Sequence, residues 1–386
     1  VQIGIPAEIR EGETRVALIP AEVKKMIKKN HQVYIETGAG KRASFSDEDF
    51  TAVGAEIVKN AEELFGQSEV ILKVQPPALN KTVQVHEKEL LKKGSVYVGF
   101  LSLFNDHSII KDFEKKAVTS FAMEFIPRIT RAQSMDALSS MATLSGYKAV
   151  LMAAHILPKI FPLMMTAAGT VPPAAVLILG AGVAGLQAIA TAKRLGAKVE
   201  AFDPRPVVKE QVLSLGAQFV EMETGEDAET AGGYAGMQSE EFLRMEQETI
   251  ASRLPKTDVV ITTAQIFGRQ SPILITEEMV KKMKPGSVIV DIAAEQGGNC
   301  ELTKAGESIE KYGVNIIGPI NLPATLAVHA SMMYSKNIAS LFYHLYQAGD
   351  KQLDFEDEIT RGACITRNGE FVNEWLKKKI TEEKNG

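Results

Sequence analysis

The sequence predicts an α/β protein of two domains, each with a mostly parallel sheet. Three observations predict it. Short apolar runs suited to strands alternate with helix-spaced stretches, first over roughly residues 1–125 and again from about Val171. One of these runs, AVLIL, leads straight into a glycine-rich turn followed by a helical stretch. The 386 residues, 45% hydrophobic and 24% charged, match average globular composition and are enough for two or three domains.

In chain order, QIGIPAEI alternates as a strand, AEVKKMIKKN is helical and HQVYIETG is a second strand. SDEDFTAVGAEI, NAEELFGQSEVILKV, KELLKKGSVYVGFLS and HSIIKDFEKKAVTSFAME repeat the helix-strand alternation. The second series opens with AAVLILGAGVAGLQAIATAKRLGAKVEAFDPR and continues through the strands TDVVITTAQI, GSVIVDIAAEQGG and VNIIGPINLPAT. Between them EMETGEDAETAGGYAGMQSEEF is acidic and poor in core residues, which reads as a mobile surface loop. VHASMMYSKNIASLFYHLYQAG is helical, and the tail reads as a strand or hairpin with a terminal helix that returns to complete the first domain. The expected division is residues 1–130 plus 328–386, and residues 131–327.

Composition excludes several functions. A net charge of −5 argues against non-specific nucleic-acid binding, which needs a basic face. Cys300 and Cys364 form no C-x-x-C pair, so neither a disulfide framework nor a zinc site is expected, and a reducing compartment fits best. The first residues show no basic stretch followed by an apolar run, so no secretory signal is visible. The longest apolar region, roughly Ala149 to Ala192, is broken by His155, Lys159 and four prolines; it reads as buried helices and a buried strand with no membrane span.

Gly180, Ala181, Gly182, Val183, Ala184 and Gly185 match G-x-G-x-x-G between a strand and a helix. Gly180 permits the tight turn, Gly182 lets a pyrophosphate approach the backbone, and Gly185 lets helix and strand pack closely. The helix N-terminus directs N–H groups at the phosphates. The next strand ends at Asp203, 18 residues after the last glycine, where an acid accepts from adenosine ribose hydroxyls and favours NAD(H) over NADP(H). Pro204 and Arg205 follow, and Arg205 fits either a pyrophosphate or a surface contact. Both domains are therefore expected to be Rossmann-like, this one binding NAD(H); the bland alternative is a glycine turn in an empty α/β domain.

A hydride enzyme usually needs an acid or base near the nicotinamide. The histidines, His31, His86, His107, His155, His329 and His344, sit in no motif, and His155 on its apolar helix reads as a core residue. No metal-ligand spacing is present. PRITRAQSMDALSS, residues 127–140, is instead crowded with polar groups. Ser134 or Asp136 can cap the helix that follows, which leaves Arg128, Arg131 and Gln133 unexplained.

GIPAEIREGETRVALIP, VILKVQPP, the glycine-turn segment, TDVVITTAQI and KPGSVIVDIAAEQGGN together resemble the alanine dehydrogenase and transhydrogenase superfamily over nearly the whole chain. Alanine dehydrogenases bind pyruvate through an arginine and a lysine at the positions of Arg15 and Lys73, and use a histidine in the segment matching residues 96–104. That histidine is missing, Glu295 stands where they have an aspartate, and Arg15 and Lys73 fit a structural role beside Glu8 or Glu13. MEFIPRITRAQSMDALSSMATLSGYKAV and AETAGGYA are similar to the NAD(H)-binding component of proton-translocating nicotinamide nucleotide transhydrogenases.

That resemblance implies hydride transfer from NADH on this chain to NADP+ on a partner domain, with proton translocation in a separate membrane domain. It implies that Arg128, Gln133, Asp136 and Ser139 serve the nicotinamide end: Asp136 and Ser139 on the carboxamide, Arg128 on the carboxamide or pyrophosphate, Gln133 towards the NADP ribose. Ile129, Arg131 and Gln265 are counted with the cofactor residues, and Gly233 and Tyr234 with a loop that closes over the nucleotide. It further implies a homodimer without membrane insertion of its own, docked on the cytoplasmic or matrix side of an energy-transducing membrane. The alternatives are an NAD-dependent alanine dehydrogenase and a catalytically silent NAD sensor.

Overall fold

β-Branched runs such as Val259–Thr262 and Val288–Asp291 are apolar on both faces, as strands covered by helices on either side must be. In the computed structural model, which describes residues 1–104, 106–222, 240–346 and 353–385, these runs are central strands. The chain forms two units, one of residues 1–141 with 324–386, the other of residues 142–323.

The first unit carries an eight-stranded sheet. From one edge its order is Glu370–Phe371, Cys364–Arg367, Thr119–Ala122, Val96–Gly99, Val70–Leu72, Gln2–Ile5, Gln32–Glu36 and Glu56–Val58. All neighbours pair in parallel except the last two strands of the chain. Cys364–Arg367 lies antiparallel on Thr119–Ala122 and forms a hairpin with Glu370–Phe371, so the C-terminal segment does complete this sheet. Ser120 Oγ and Thr366 Oγ1 meet at 2.7 Å on the seam, satisfying two hydroxyls where water is excluded.

The second unit carries a seven-stranded sheet, ordered Gln218–Phe219, Lys198–Phe202, Ala175–Leu179, Val259–Thr262, Val288–Asp291, Val314–Ile317 and Ser308–Lys311. Only the edge strand Ser308–Lys311 is antiparallel. Period-two alternation sorts its core. Val176, Ile178, Val259 and Ile261 pack with Ala188, Ile189 and Ala192 on one face, while Leu177, Leu179, Val260 and Ile289 pack with Ile250, Leu254 and Val280 on the other. Ala175–Leu179 has Lys198–Phe202 on one side and Val259–Thr262 on the other. Its C-terminal end is thus the point where strand order reverses, the place where open α/β sheets bind ligands.

The apolar region after Ala149 departs from expectation. The helix Ala137–Ile156 ends, and Met164–Thr166 and Gly169–Val171 form an isolated antiparallel hairpin. All six of its residues are exposed, Met165 to 77%. Hydropathy marked this segment for burial, and among the described residues nothing covers it. No described helix is long and apolar enough to cross a membrane.

Candidate functional site

In the second unit the turn from Gly180 to Gly185 follows Ala175–Leu179 and opens the helix Val183–Arg194. Gly180 has φ +93°, a left-handed conformation that favours glycine, and a Cβ there would lie 2.6 Å from Thr263 Oγ1. A Cβ on Gly185 would lie 1.8 Å from Gly180 O, so helix and strand close only over a bare α-carbon. At Gly182 a Cβ would meet nothing within 4 Å. Gly182 is also the helix N-cap and supplies no capping side chain, so the first-turn N–H groups face the open space beside it. Val183 is exposed beside it, whereas Ala181 is buried, and its N–H is given to Asp203. A motif glycine was legible in the sequence; Gly146 was not. It lies in the helix Ala137–Ile156, and a Cβ on it would sit 2.0 Å from Ala184 O. A glycine in an otherwise good helical stretch costs about 1 kcal/mol, and that was the one available signal.

Asp203 ends the strand Lys198–Phe202, next to the turn. Its Oδ2 accepts from Ala181 N at 2.7 Å and Arg205 Nη2 at 2.9 Å; its Oδ1 accepts from Arg205 N and Nε, both at 2.9 Å. Those four bonds use the carboxylate's four lone-pair directions. Arg205, which the sequence left between two roles, is folded back on the acid as a fork-on-fork ion pair. Pro204 sits between them and fixes the short return.

Across the switch point, Thr263 N donates to Leu179 O at 2.8 Å and Thr263 Oγ1 to Gly180 O at 3.0 Å. The next peptide is held by Asn299, whose Oδ1 accepts from Ala264 N and whose Nδ2 donates to Ala264 O and Pro272 O. Asp291, fully buried, accepts from Asn299 N, Cys300 N, Ala293 N, Thr262 Oγ1 and Thr303 Oγ1. This scaffold presents Gln265, exposed, with Nε2 3.3 Å from Ile292 O. Asp291 and Asn299 both stand in the segment KPGSVIVDIAAEQGGN, but spacing gave neither a role, because their partners are set by tertiary register. Gly233 and Tyr234 lie outside the described residues.

In the first unit, residues 127–129 lead into a 3-10 turn over Thr130–Met135 and then the helix at Ala137. Ala132 and Met135 are buried and anchor the turn; Arg128, Arg131 and Gln133 project from it, and Ile129 lies beside them. Asp136 is the helix N-cap: its Oδ1 accepts from Ser139 N at 2.8 Å and its Oδ2 from Ser139 Oγ at 2.6 Å. Asp136 and Ser139 are thereby one hydrogen-bonded unit. Arg131 is ion-paired with Asp357 at 2.9 Å, a partner 226 residues away that sequence reading missed.

The same unit buries a charged cluster. Arg15 forks onto Glu13 with Nε–Oε1 2.7 Å and Nη2–Oε2 2.6 Å, and Gln75 Nε2 donates to Glu13 Oε2 at 2.7 Å. Burial opposes ionisation of Glu13, but Arg15 and Gln75 hold its carboxyl down to about 2. Lys73, with no exposed surface, lies 2.7 Å from Glu87 and 3.5 Å from Glu8. These acids push it above its ordinary value against the effect of burial. Three carboxylates thus share two cations. Burial together with the other two acids lifts Glu8 to about 7, despite Lys73 and the Val74 N–H. Glu124, buried beneath Leu101 and Ser102, is also lifted to about 7 by burial, although their N–H groups bond to it.

No histidine joins either group. His155, read as a core residue, is exposed: a helix emerging between two elements turns one face outward even when its sequence is apolar. His31, which sits in no sequence motif, is buried against Phe342, with ring centroids 5.1 Å apart. No group of three or more His, Cys, Asp or Glu able to hold a metal occurs among the described residues.

Known proteins resemble this chain in both domains. Residues 4–145 match the family model described as alanine dehydrogenase/PNT, N-terminal domain, and residues 149–374 the C-terminal domain. The chain is 47% identical over 377 residues to an NAD(P) transhydrogenase subunit alpha protein of Rhodospirillum rubrum, covering 97% of this chain and 98% of that one. It is 31% identical to an alanine dehydrogenase of Methanococcus maripaludis, covering 97% and 95%. The crystal structure of transhydrogenase from Sinorhizobium meliloti superposes with a TM-score of 0.86 at 40% identity, covering 96% of this chain and all of that one. Both domains, their order and their sheets therefore place the chain in the alanine dehydrogenase/PNT family.

Proposed function

We propose that the chain is the NAD(H)-binding subunit of a proton-translocating NAD(P) transhydrogenase. It works with an NADP(H)-binding domain and a proton-conducting membrane domain carried by partners, on the cytoplasmic or matrix side of the membrane. The observation that carries this reading is the state of Arg15 and Lys73. The two cations that an alanine dehydrogenase would turn towards its keto acid are here bound by buried Glu13 and Glu87. The segment 96–104 offers no imidazole. The higher identity to the transhydrogenase subunit supports the same choice.

The residues present fit a dinucleotide. The uncapped helix start and the open space at Gly182 suit a pyrophosphate, with Gly180 to Gly185 as its cradle. Asp203 is the acceptor for the adenosine ribose once Arg205 yields part of its fork. Pro204 follows Asp203 at this end, and Gln265 stands beyond the strand Val259–Thr262, on the other side of Ala175–Leu179. Asp136 and Ser139 hold the carboxamide, with Arg128, Ile129 and Arg131 beside them. Bound NADH supplies the hydride that reaches NADP+ on the partner domain. Direct transfer between two nicotinamides takes no proton from a side chain, so what this chain contributes is orientation and exclusion of water. A second copy covers the apolar hairpin of residues 164–171, since an isolated two-stranded hairpin is marginal in water, and the subunit acts as a homodimer.

The test supplies the chain with an NADPH-loaded partner domain and follows reduction of an NAD+ analogue. Transfer is expected only with the partner present. NADH consumption by the isolated chain with pyruvate and ammonia would instead make it an alanine dehydrogenase, and NADH binding without any transfer would make it a sensor.

A further inference from the structure

The helix Ala327–Leu345 braces backbone in three places. Ser331 Oγ and Ser335 Oγ, both fully buried, accept from Val16 N and Ile19 N at 3.0 Å. Tyr334 OH donates to Lys73 O at 2.6 Å. Asn337 Nδ2 donates to Ser134 O at 2.9 Å. The Asn337 side chain is nearly buried, and its Oδ1 has no partner. An orphaned buried acceptor loses its hydration with no bond in return, so packing alone favours an apolar residue there. What Asn337 contributes is its one bond to the turn.

A second brace comes from Asp357. This residue N-caps the helix Glu358–Ala363, its Oδ1 accepting from Ile359 N at 2.8 Å and Thr360 N at 3.2 Å. The same oxygen meets His344 Nε2 at 2.9 Å. The other oxygen, Oδ2, takes Arg131 at 2.9 Å. One carboxylate therefore ties the end of one helix, the start of another and the 3-10 turn. The two braces grip the turn at residues 131 and 134, and Gln133 projects between them.

We propose that Asn337 and Asp357 are positioning residues for hydride transfer. They fix the turn Thr130–Met135 on both sides of Gln133, so that its amide meets the second nucleotide in one place. The inference rests on the transhydrogenase reading above. Neither residue touches the nucleotide; each acts through the turn, and a misplacement near 1 Å can cost up to about a hundredfold in rate.

Asp357→Asn keeps an N-capping side chain and removes the charge that holds Arg131. Asn337→Leu removes the bond to Ser134 and the orphaned acceptor together. For each variant, NADH affinity, hydride transfer with the NADPH-loaded partner domain, and thermal midpoint are measured. The expected result is NADH affinity within about twofold and transfer about tenfold slower. The midpoint of Asn337→Leu is held or raised, because the buried unpaired acceptor is gone. The double variant Arg131→Gln with Asp357→Asn is expected to transfer no more slowly than the slower single one, the mark of two residues acting as one pair. Wild-type transfer rates in both variants, or equal losses in binding and transfer, would overturn the proposal. Failure of the wild-type chain to transfer with the partner would overturn the functional reading, and this inference with it.

Discussion

Gly146→Ala should weaken NADH binding from within a helix that has no place in the G-x-G-x-x-G motif. A Cβ at 146 would stand 2.0 Å from Ala184 O and 2.9 Å from Ala184 C. Ordinary contact begins near 3.4 Å, so the helix Ala137–Ile156 and the start of Val183–Arg194 must separate by about 1.4 Å. Two effects compete on stability. Alanine gains about 1 kcal/mol in helix propensity. Overpacking costs about 1–3 kcal/mol, and because the obstructing atoms are backbone the cost falls at the upper end, leaving a net loss of about 1–2 kcal/mol. The effect on the cofactor is larger. A shift of that size takes a hydrogen bond at ordinary length out of range, and a bond to a charged phosphate contributes about 1.5–3 kcal/mol. NADH affinity should fall about 10- to 100-fold. The assay is fluorescence titration with NADH, paired with thermal unfolding. Gly66→Ala is the control: Gly66 is also helical, and a Cβ on it meets nothing within 4 Å. It should raise stability by about 0.5–1 kcal/mol and leave NADH binding unchanged. If Gly146→Ala behaved like Gly66→Ala, the close approach would carry no function and the reasoning would fail.

Three further outcomes are expected. Asp203→Asn should lower NADH affinity about tenfold and narrow the preference over NADPH, because it removes the ribose acceptor and frees Arg205 for a 2′-phosphate; parallel titrations with both nucleotides check it, and an unchanged NADH/NADPH ratio would contradict it. Glu124 is lifted by burial from 4.5 to about 7, so it binds its proton more tightly folded than unfolded, and the cost of ionising it, about 3 kcal/mol, grows as pH rises through that window and is complete above it. Urea unfolding should therefore show wild type losing more stability from pH 5 to pH 8 than Glu124→Gln does, with equal slopes counting against the assignment. Burial lifts the thiols of Cys300 and Cys364 to about 11 and about 12, so alkylation at pH 8 should be silent in the folded protein and reach both on unfolding.

Much of this molecule was written in short stretches of sequence. Gly180, Gly182 and Gly185 act on backbone within one turn, and Asp136 caps the helix through a residue three positions on. Arg15 and Glu13 are two apart. Strand periodicity located both sheets, because side chains of one strand must alternate between two covered faces.

What the tertiary structure decided has a different range. Glu87 takes Lys73 from 14 residues away, Asn299 holds Ala264 from 35, Ala184 closes on Gly146 from 38, and Asp357 finds Arg131 from 226. Such pairs depend on sheet register and helix docking, and no periodicity encodes which polar residue will face which. The hairpin of residues 164–171 and His155 were misread for the same reason. Hydropathy states how strongly a residue prefers burial, but which surfaces have something to bury them against is settled only when the elements meet.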